Sequence, residues 1–154
     1  MTDPKKTRPV VAADILAMAA IADSTLFPGD MLPEMIAPYL EGDTDGRWWV
    51  IEGDGCVVGF AFATVEPMTD QSWNLKAIAV KPEQHRAGFG NGLLSAVEQD
   101  LRAYGARVLV IDTSSGDDQA AARRFYVAHG YSQTGVIPEF WEPGQDKVTF
   151  YKAF

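Results

Sequence analysis

The chain has 154 residues, 47% apolar and 22% charged, a length and balance that fit one soluble domain with its own core. A net charge of −8 and a pI near 4.6 speak against broad binding to nucleic acid or an anionic membrane, and lean towards cationic partners such as amines. No apolar run approaches the roughly 18 residues of a membrane span, "MTDPKKTRPVV" has no signal-peptide core, and the lone Cys56 allows no internal disulfide, so the expected compartment is the cytoplasm.

Residues 1–6 are polar and are expected to fray. Apolar residues at helical spacing predict a helix over 12–24, which "TLFPGD" ends. Asp30 stands where it would cap a second helix reaching Leu40, with Pro33 and Pro38 limiting its length. "EGDTDG" reads as a loop. Strands are predicted over 48–52 and 56–65, joined by a hairpin turn at Gly53-Asp54-Gly55. "EPMTDQS" turns the chain into a third strand over 73–80. A glycine-rich stretch follows, and then a helix over 91–104 with Leu93, Leu94, Val97 and Leu101 on one face and Gly105 as its C-terminal cap. Residues 108–113 are nearly all apolar, as in a parallel strand buried on both faces. After the loop "SSGDD", a helix over 119–129 ends at Gly130. Strands over 131–137 and 148–154, joined by "PEFWEPGQD", close the chain. The order is helices, an antiparallel meander, then strand–helix–strand–helix–strand–strand. That is an α/β fold with a mixed sheet.

The stretch "PEQHRAGFGNGLL" carries Gly88, Gly90 and Gly92 between a strand and a helix. Such a turn gathers backbone N–H groups at a helix start, where the dipole favours an anion. Lys81, His85 and Arg86 add local positive charge. The spacing fits neither the dinucleotide fingerprint, whose third glycine falls one residue later, nor the Walker loop, which needs G-K-[ST]. Glycine spacing alone leaves two readings open, a phosphate cradle or tight packing of a helix on a sheet.

The longer stretch "IAVKPEQHRAGFGNGLL" resembles the acetyl-CoA pyrophosphate loop of the GNAT superfamily of N-acetyltransferases, with His85 where Arg or Gln is usual. "QAAARRFYVAHGY" resembles the superfamily's later helix. Gln119 stands there for Asn, and Phe125-Tyr126 and Gly130-Tyr131 match directly. The ending "IPEFWEPGQDKVTFYKAF" is similar to the tail of a bacterial subgroup. The resemblance implies a mostly antiparallel central sheet of about six to seven strands flanked by about four helices, with two parallel strands splayed at the cofactor site.

It also implies a reaction: transfer of acetyl from acetyl-CoA directly to a primary amine of a small molecule or peptide. In that reading Ile78, Ala79 and Val80 offer main-chain groups to the pantetheine and the thioester carbonyl. Arg86, Ala87, Gly88, Phe89, Gly90 and Asn91 hold the pyrophosphate, Gln119 contacts the cofactor, and Tyr126 protonates the departing thiolate. Without the resemblance, Tyr126 reads rather as a helix aromatic packed on the sheet with its hydroxyl at the rim. Asn74 stands where some members carry a glutamate base, so Asp112, at a strand end, is the candidate base, with pairing at the strand end as its plain alternative. Glu66, Asp70 and Glu139 are further acidic residues for the acceptor side. Phe27, Trp73, Phe140 and Trp141 are candidates to line an acceptor pocket or simply core and rim. Cys56 reads as a core strand residue. His85 and His129 lack metal-ligand spacing, so no metal is expected. A homodimer through the apolar C-terminal strand is possible in this fold. Two rival functions share these features, a catalytically silent acyl-CoA sensor and a nucleotide-phosphate-binding module.

Overall fold

The computed structural model describes residues 5–154. The strands among them are β1 Lys5–Pro9, β2 Gly46–Gly53, β3 Cys56–Val65, β4 Ser72–Val80, β5 Val108–Ser114, β6 Ser132–Glu142 and β7 Gln145–Ala153. The helices are α1 Ile15–Thr25, α2 Leu32–Leu40, α3 Phe89–Ala103 and α4 Ala120–Ala128. The strands are ordered β1-β2-β3-β4-β5-β7-β6 in a mixed sheet. Two compact units divide β4: one runs from the N-terminus to Thr64 and adds Lys76–Tyr104, and the other holds Val65–Leu75 and Gly105–Phe154.

The first unit is built on antiparallel pairing of β2 with both β1 and β3. The hairpin turn is Asp54-Gly55, with φ of 52° and 82°. Both values are left-handed, the backbone twist that a two-residue hairpin requires. Met18, Ile21, Leu32, Ile36, Trp48, Val50 and Phe60 form one buried cluster under α1 and α2. The predicted break after α1 falls as expected, but Asp30 does not cap α2. A one-turn 3-10 helix over Gly29–Met31 carries the chain in, and Met31 takes the cap position. The predicted apolar face of α3 is fully buried at Leu93, Leu94, Val97 and Leu101. A Cβ on Gly92 would stand 3.3 Å from Ile51 Cδ1, so that glycine lets α3 lie close on β2. Trp49 Nε1 donates to Asp100 Oδ2 at 2.6 Å and ties the same two elements.

Two further expectations change in this unit. Residues 1–4 lie outside the described residues, but Lys5 and Lys6 pair with Gly53 and Glu52 in β1. Arg8 fixes that strand by a two-pronged ion pair with Asp14, at 2.7 and 2.8 Å, and a contact to Glu52 at 2.9 Å. Cys56 is exposed, because it is the first residue after the hairpin turn rather than part of the strand's buried middle.

In the second unit, β5 pairs in parallel with β4 from Ser72↔Val108 to Leu75↔Ile111 and antiparallel with β7 from Val108↔Ala153 to Ser114↔Lys147. Side-chain alternation then sorts the residues by face. Asn74, Asp112 and Thr149 share one face, and Trp73, Ile111 and Phe150 share the other. The tail also differs from expectation. "PEFWE" is strand rather than loop, so β6 runs to Glu142 and β7 starts at Gln145. Pro138 and Glu139, the latter at φ 55°, sit in the stretch where the β6–β7 register slips between Ile137 and Glu142. An edge strand tolerates both. The C-terminal strand is flanked by β5 and β6, so β6 rather than β7 is the open edge.

Candidate functional site

The glycine-rich stretch folds as a strand–loop–helix turn. After β4, a 3-10 turn over Pro82–Gln84 leads to His85, whose Nε2 stands 2.9 Å from the carbonyl oxygen of Val80. A carbonyl only accepts, so this nitrogen carries the proton and ties the loop back to the strand. The residue that departs from the family pattern therefore has a local partner. Arg86 at φ 67° and Gly88 at φ 84° then turn the backbone twice through the left-handed region. Gly88 is the residue before α3, and the first bond within the helix runs from the Gly92 N–H to the Gly88 carbonyl. The N–H groups of Phe89 and Gly90 precede that bond and have no helical acceptor. Arg86, Ala87, Gly88 and Asn91 are exposed, while Phe89 is buried and anchors the turn.

One residue near this turn was missed from the sequence. Lys5 Nζ lies 5.2 Å from the centre of the Phe89 ring and would stand 2.8 Å from a Cβ on Gly88. Its ammonium stands beside a helix start whose dipole end is itself positive. Nothing in "KKTRP" signals this, because only the pairing of β1 brings Lys5 there. The turn thus fits a pyrophosphate: glycine where a Cβ would intrude, N–H donors without a helical acceptor, and a cation alongside.

The main chain beside the turn also has a distinctive register. The parallel ladder ends at Leu75↔Ile111, and β4 continues to Val80. Ile78, Ala79 and Val80 therefore lie beyond the last residue that β4 pairs with β5.

Tyr126 lies on α4 in the second unit and is 6% exposed. Its ring packs against Phe125, Tyr131 and Phe150 at centroid distances of 5.7, 6.2 and 5.8 Å. Burial pushes its phenol up to about 12 by disfavouring the phenolate. Gln119 is the residue before α4, half-buried at the end of a 3-10 turn. Arg123, not singled out from the sequence, donates to the carbonyls of Ser114 and Gly116 at 2.6 and 2.8 Å and holds the loop after β5.

Asp112 does not face Tyr126. Phe150 and Asp112 belong to opposite faces of the sheet, and Tyr126 packs on Phe150. The Asp112 carboxylate receives the Thr149 hydroxyl on Oδ1 at 2.7 Å and the Asn74 amide on Oδ2 at 3.2 Å, and Lys147 Nζ stands 3.7 Å from Oδ2. Asn74 also donates to Glu66 Oε1 at 2.9 Å. The expected pairing of Asp112 with strand-end backbone is replaced by side-chain partners from β4 and β7. Asn74 is 4% exposed, and its Oδ1 has no partner among the described residues.

The aromatic candidates separate. Trp73 is 4% exposed, on the face away from Asn74, with its Nε1 donating to Gln71 Oε1 at 3.1 Å. Trp141 and Phe140 are each 49% exposed. Trp141 Nε1 donates to the Thr113 carbonyl at 3.1 Å, and Phe140 lies 4.5 Å from Lys147 Nζ. Phe27 belongs to the first unit, where it meets Phe60 edge-on at 6.4 Å and borders a shallow hollow of about 430 Å³. His129 Nδ1 faces the Phe125 carbonyl at 2.7 Å.

An α/β chain with a glycine-containing strand–loop–helix turn after a central strand defines a class, and comparison with known proteins narrows it. The acetyltransferase (GNAT) family matches residues 15–131. A crystal structure from Desulfovibrio desulfuricans, assigned to the GNAT acetyltransferases, superposes with a TM-score of 0.89 at 27% identity, covering 97% of this chain and 98% of that one. An uncharacterised N-acetyltransferase of Methanocaldococcus jannaschii is 28% identical over 109 residues, which are 68% of this chain and 65% of that protein, just under two thirds of its length. A Salmonella typhimurium structure assigned as an acetyltransferase and solved with acetyl-CoA shares the fold, with a TM-score of 0.78 at 21% identity over 98% of this chain and 94% of that one. The chain belongs to the GNAT family of acetyltransferases.

Proposed function

We propose that the chain transfers acetyl from acetyl-CoA directly to a primary amine. The observation that carries this reading is the double left-handed turn at Arg86 and Gly88 opening α3, in a chain that the family covers from residue 15 to 131. The backbone of Arg86, Ala87, Gly88, Phe89, Gly90 and Asn91 holds the pyrophosphate. Ile78, Ala79 and Val80 offer main-chain groups to the pantetheine arm, and Gln119 adds a polar contact. Bound there, acetyl-CoA supplies an acyl group activated as a thioester. Tyr126 Oη gives its proton to the departing sulfur. The proton leaving the amine goes to the carboxylates around Asn74, on the face of Asp112. Phe140 and Trp141, exposed near the same residues, serve the acceptor side.

Calorimetric titration tests this reading. Acetyl-CoA binds, ATP and NAD do not, and Gly88→Ala weakens acetyl-CoA binding about fivefold or more, because a side chain at φ 84° strains the turn by ~1 kcal/mol. Binding of ATP or NAD as tight as that of acetyl-CoA points instead to the nucleotide-phosphate module. Acetyl-CoA binding without transfer to any amine points to the sensor.

A further inference from the structure

The acceptor end of the second unit contains a polar cluster that is short of donors. Asn74 directs its Nδ2 at two carboxylates, Glu66 Oε1 and Asp112 Oδ2. Turning the amide over would set its oxygen against both, so the orientation is fixed by charge. The consequence is a carbonyl oxygen, Asn74 Oδ1, that is enclosed and without a partner among the described residues. In a planar amide one N–H lies on the same side as the oxygen. One of the two carboxylates therefore flanks Oδ1, and the two present adjacent acceptors.

Charge points the same way. Glu66 and Asp112 bring two negative charges to one amide, and Lys147, 3.7 Å from Asp112 Oδ2, brings one positive. The cluster is left with one uncompensated negative charge and one buried orphan acceptor. A water satisfies the acceptor and leaves the charge, whereas an alkylammonium group, with its N–H donors and single positive charge, satisfies both. The two carboxylates are not equivalent. Both oxygens of Asp112 are engaged, one by Thr149 and the other by Asn74 and Lys147. Glu66 uses only Oε1, and its Oε2 makes no hydrogen bond among the described residues. The Glu66 backbone is nevertheless held, its N–H by the Ser72 carbonyl at 2.7 Å and its carbonyl by the Thr69 hydroxyl at 2.8 Å.

We propose that the Glu66–Asn74–Asp112 cluster seats the acceptor as a primary alkylammonium ion, with Asn74 Oδ1 accepting one N–H and Glu66, rather than Asp112, taking the proton. The step breaks one N–H bond of the ammonium and forms an O–H bond on Glu66 Oε2. The electron pair stays on nitrogen, and the neutral amine that results is the nucleophile. Asp112 is a positioning residue, holding the Asn74 amide in place. The proposal rests on the acetyl-transfer reading for what the amine then does, but not for its binding.

The test uses the full-length isotope-labelled protein and n-butylammonium as probe, with n-butanol as the neutral control. Butylammonium is expected to shift the Asn74 side-chain NH₂ resonances saturably, while butanol leaves them in place. Glu66→Gln should weaken butylammonium binding at least tenfold and lower kcat, with acetyl-CoA affinity by calorimetry unchanged. Asp112→Asn should raise KM more than it lowers kcat. Equal shifts with butylammonium and butanol, no shift with either, or unaltered butylammonium binding in Glu66→Gln overturns the proposal. If acetyl-CoA does not bind at all, the acetyl-transfer reading fails, and the butylammonium titration still decides the cluster.

Discussion

Tyr126 is a packed aromatic for which we propose a chemical role as well. Its ring is part of an aromatic group with Phe125, Tyr131 and Phe150, and the same burial that makes it a core residue raises its phenol to about 12 from 10.0. Tyr126→Phe keeps the ring and removes the proton. Turnover is expected to fall ~10²–10⁴-fold with acetyl-CoA affinity retained, and a spectrophotometric titration should lose the tyrosine that ionises near 12. The raised value also has a stability consequence. The contribution from the buried neutral phenol is complete below 10.0 and is lost as pH rises through about 12, because only the unfolded chain releases its proton in that window. Asp14 behaves in the opposite sense. The Arg8 guanidinium holds its carboxyl below the ordinary 3.8, helped by the Val11 N–H at 2.9 Å, against the opposing effect of burial. Its contribution is therefore complete above 3.8 and disappears as pH falls through the lower folded value. Asp14→Asn should cost about 2–3 kcal/mol in urea denaturation at neutral pH and flatten the acid side of the stability profile. An unchanged midpoint would mean that the ion pair is idle.

At the level of elements, the helix faces and turns were legible because they depend on local chemistry. Asp54-Gly55 is a hairpin turn for its φ values, and α3 is a helix for its apolar period. β1 was not legible, since "KKTRP" has no alternation and gains its structure from β2 and the Arg8–Asp14 ion pair. The length of β6 was hidden by Pro138 and by side chains that are exposed along the whole strand, so no buried face marks it. The strand–loop–helix turn at Gly88 could be read from its glycines and neighbouring elements. Glu66, Asn74 and Asp112 were each singled out, but their meeting was not legible, because Asn74 and Asp112 lie 38 residues apart and come together only through the β4–β5 register. Gly29 is a packing element of the same hidden kind. A Cβ there would lie 2.3 Å from the backbone oxygen of Ala19 in α1, a contact that cannot relax by moving a side chain. Gly29→Ala should cost roughly 1–3 kcal/mol, read as a lowered Tm, by forcing α1 and the 3-10 turn apart. An unaltered Tm would show that the two segments separate freely.

For the molecule as a whole, the net charge of −8 gains meaning from where the exceptions lie. Lys5, Lys81, His85 and Arg86 gather around the α3 turn in one unit, and Glu66 and Asp112 converge on Asn74 in the other. Were the α3 turn to take an anionic cofactor and the polar cluster a cationic acceptor, each would meet charge of the opposite sign. No helix among the described residues is long and apolar enough to cross a membrane. Acetyl transfer to an amine is read most directly as release of the CoA thiol from acetyl-CoA across a panel of alkylamines, polyamines, amino acids and aminoglycosides. The expected result is amine-dependent thiol release that rises with amine concentration and collapses in Tyr126→Phe. Thiol release that is absent for every amine, or that proceeds at the same rate without one, would contradict it.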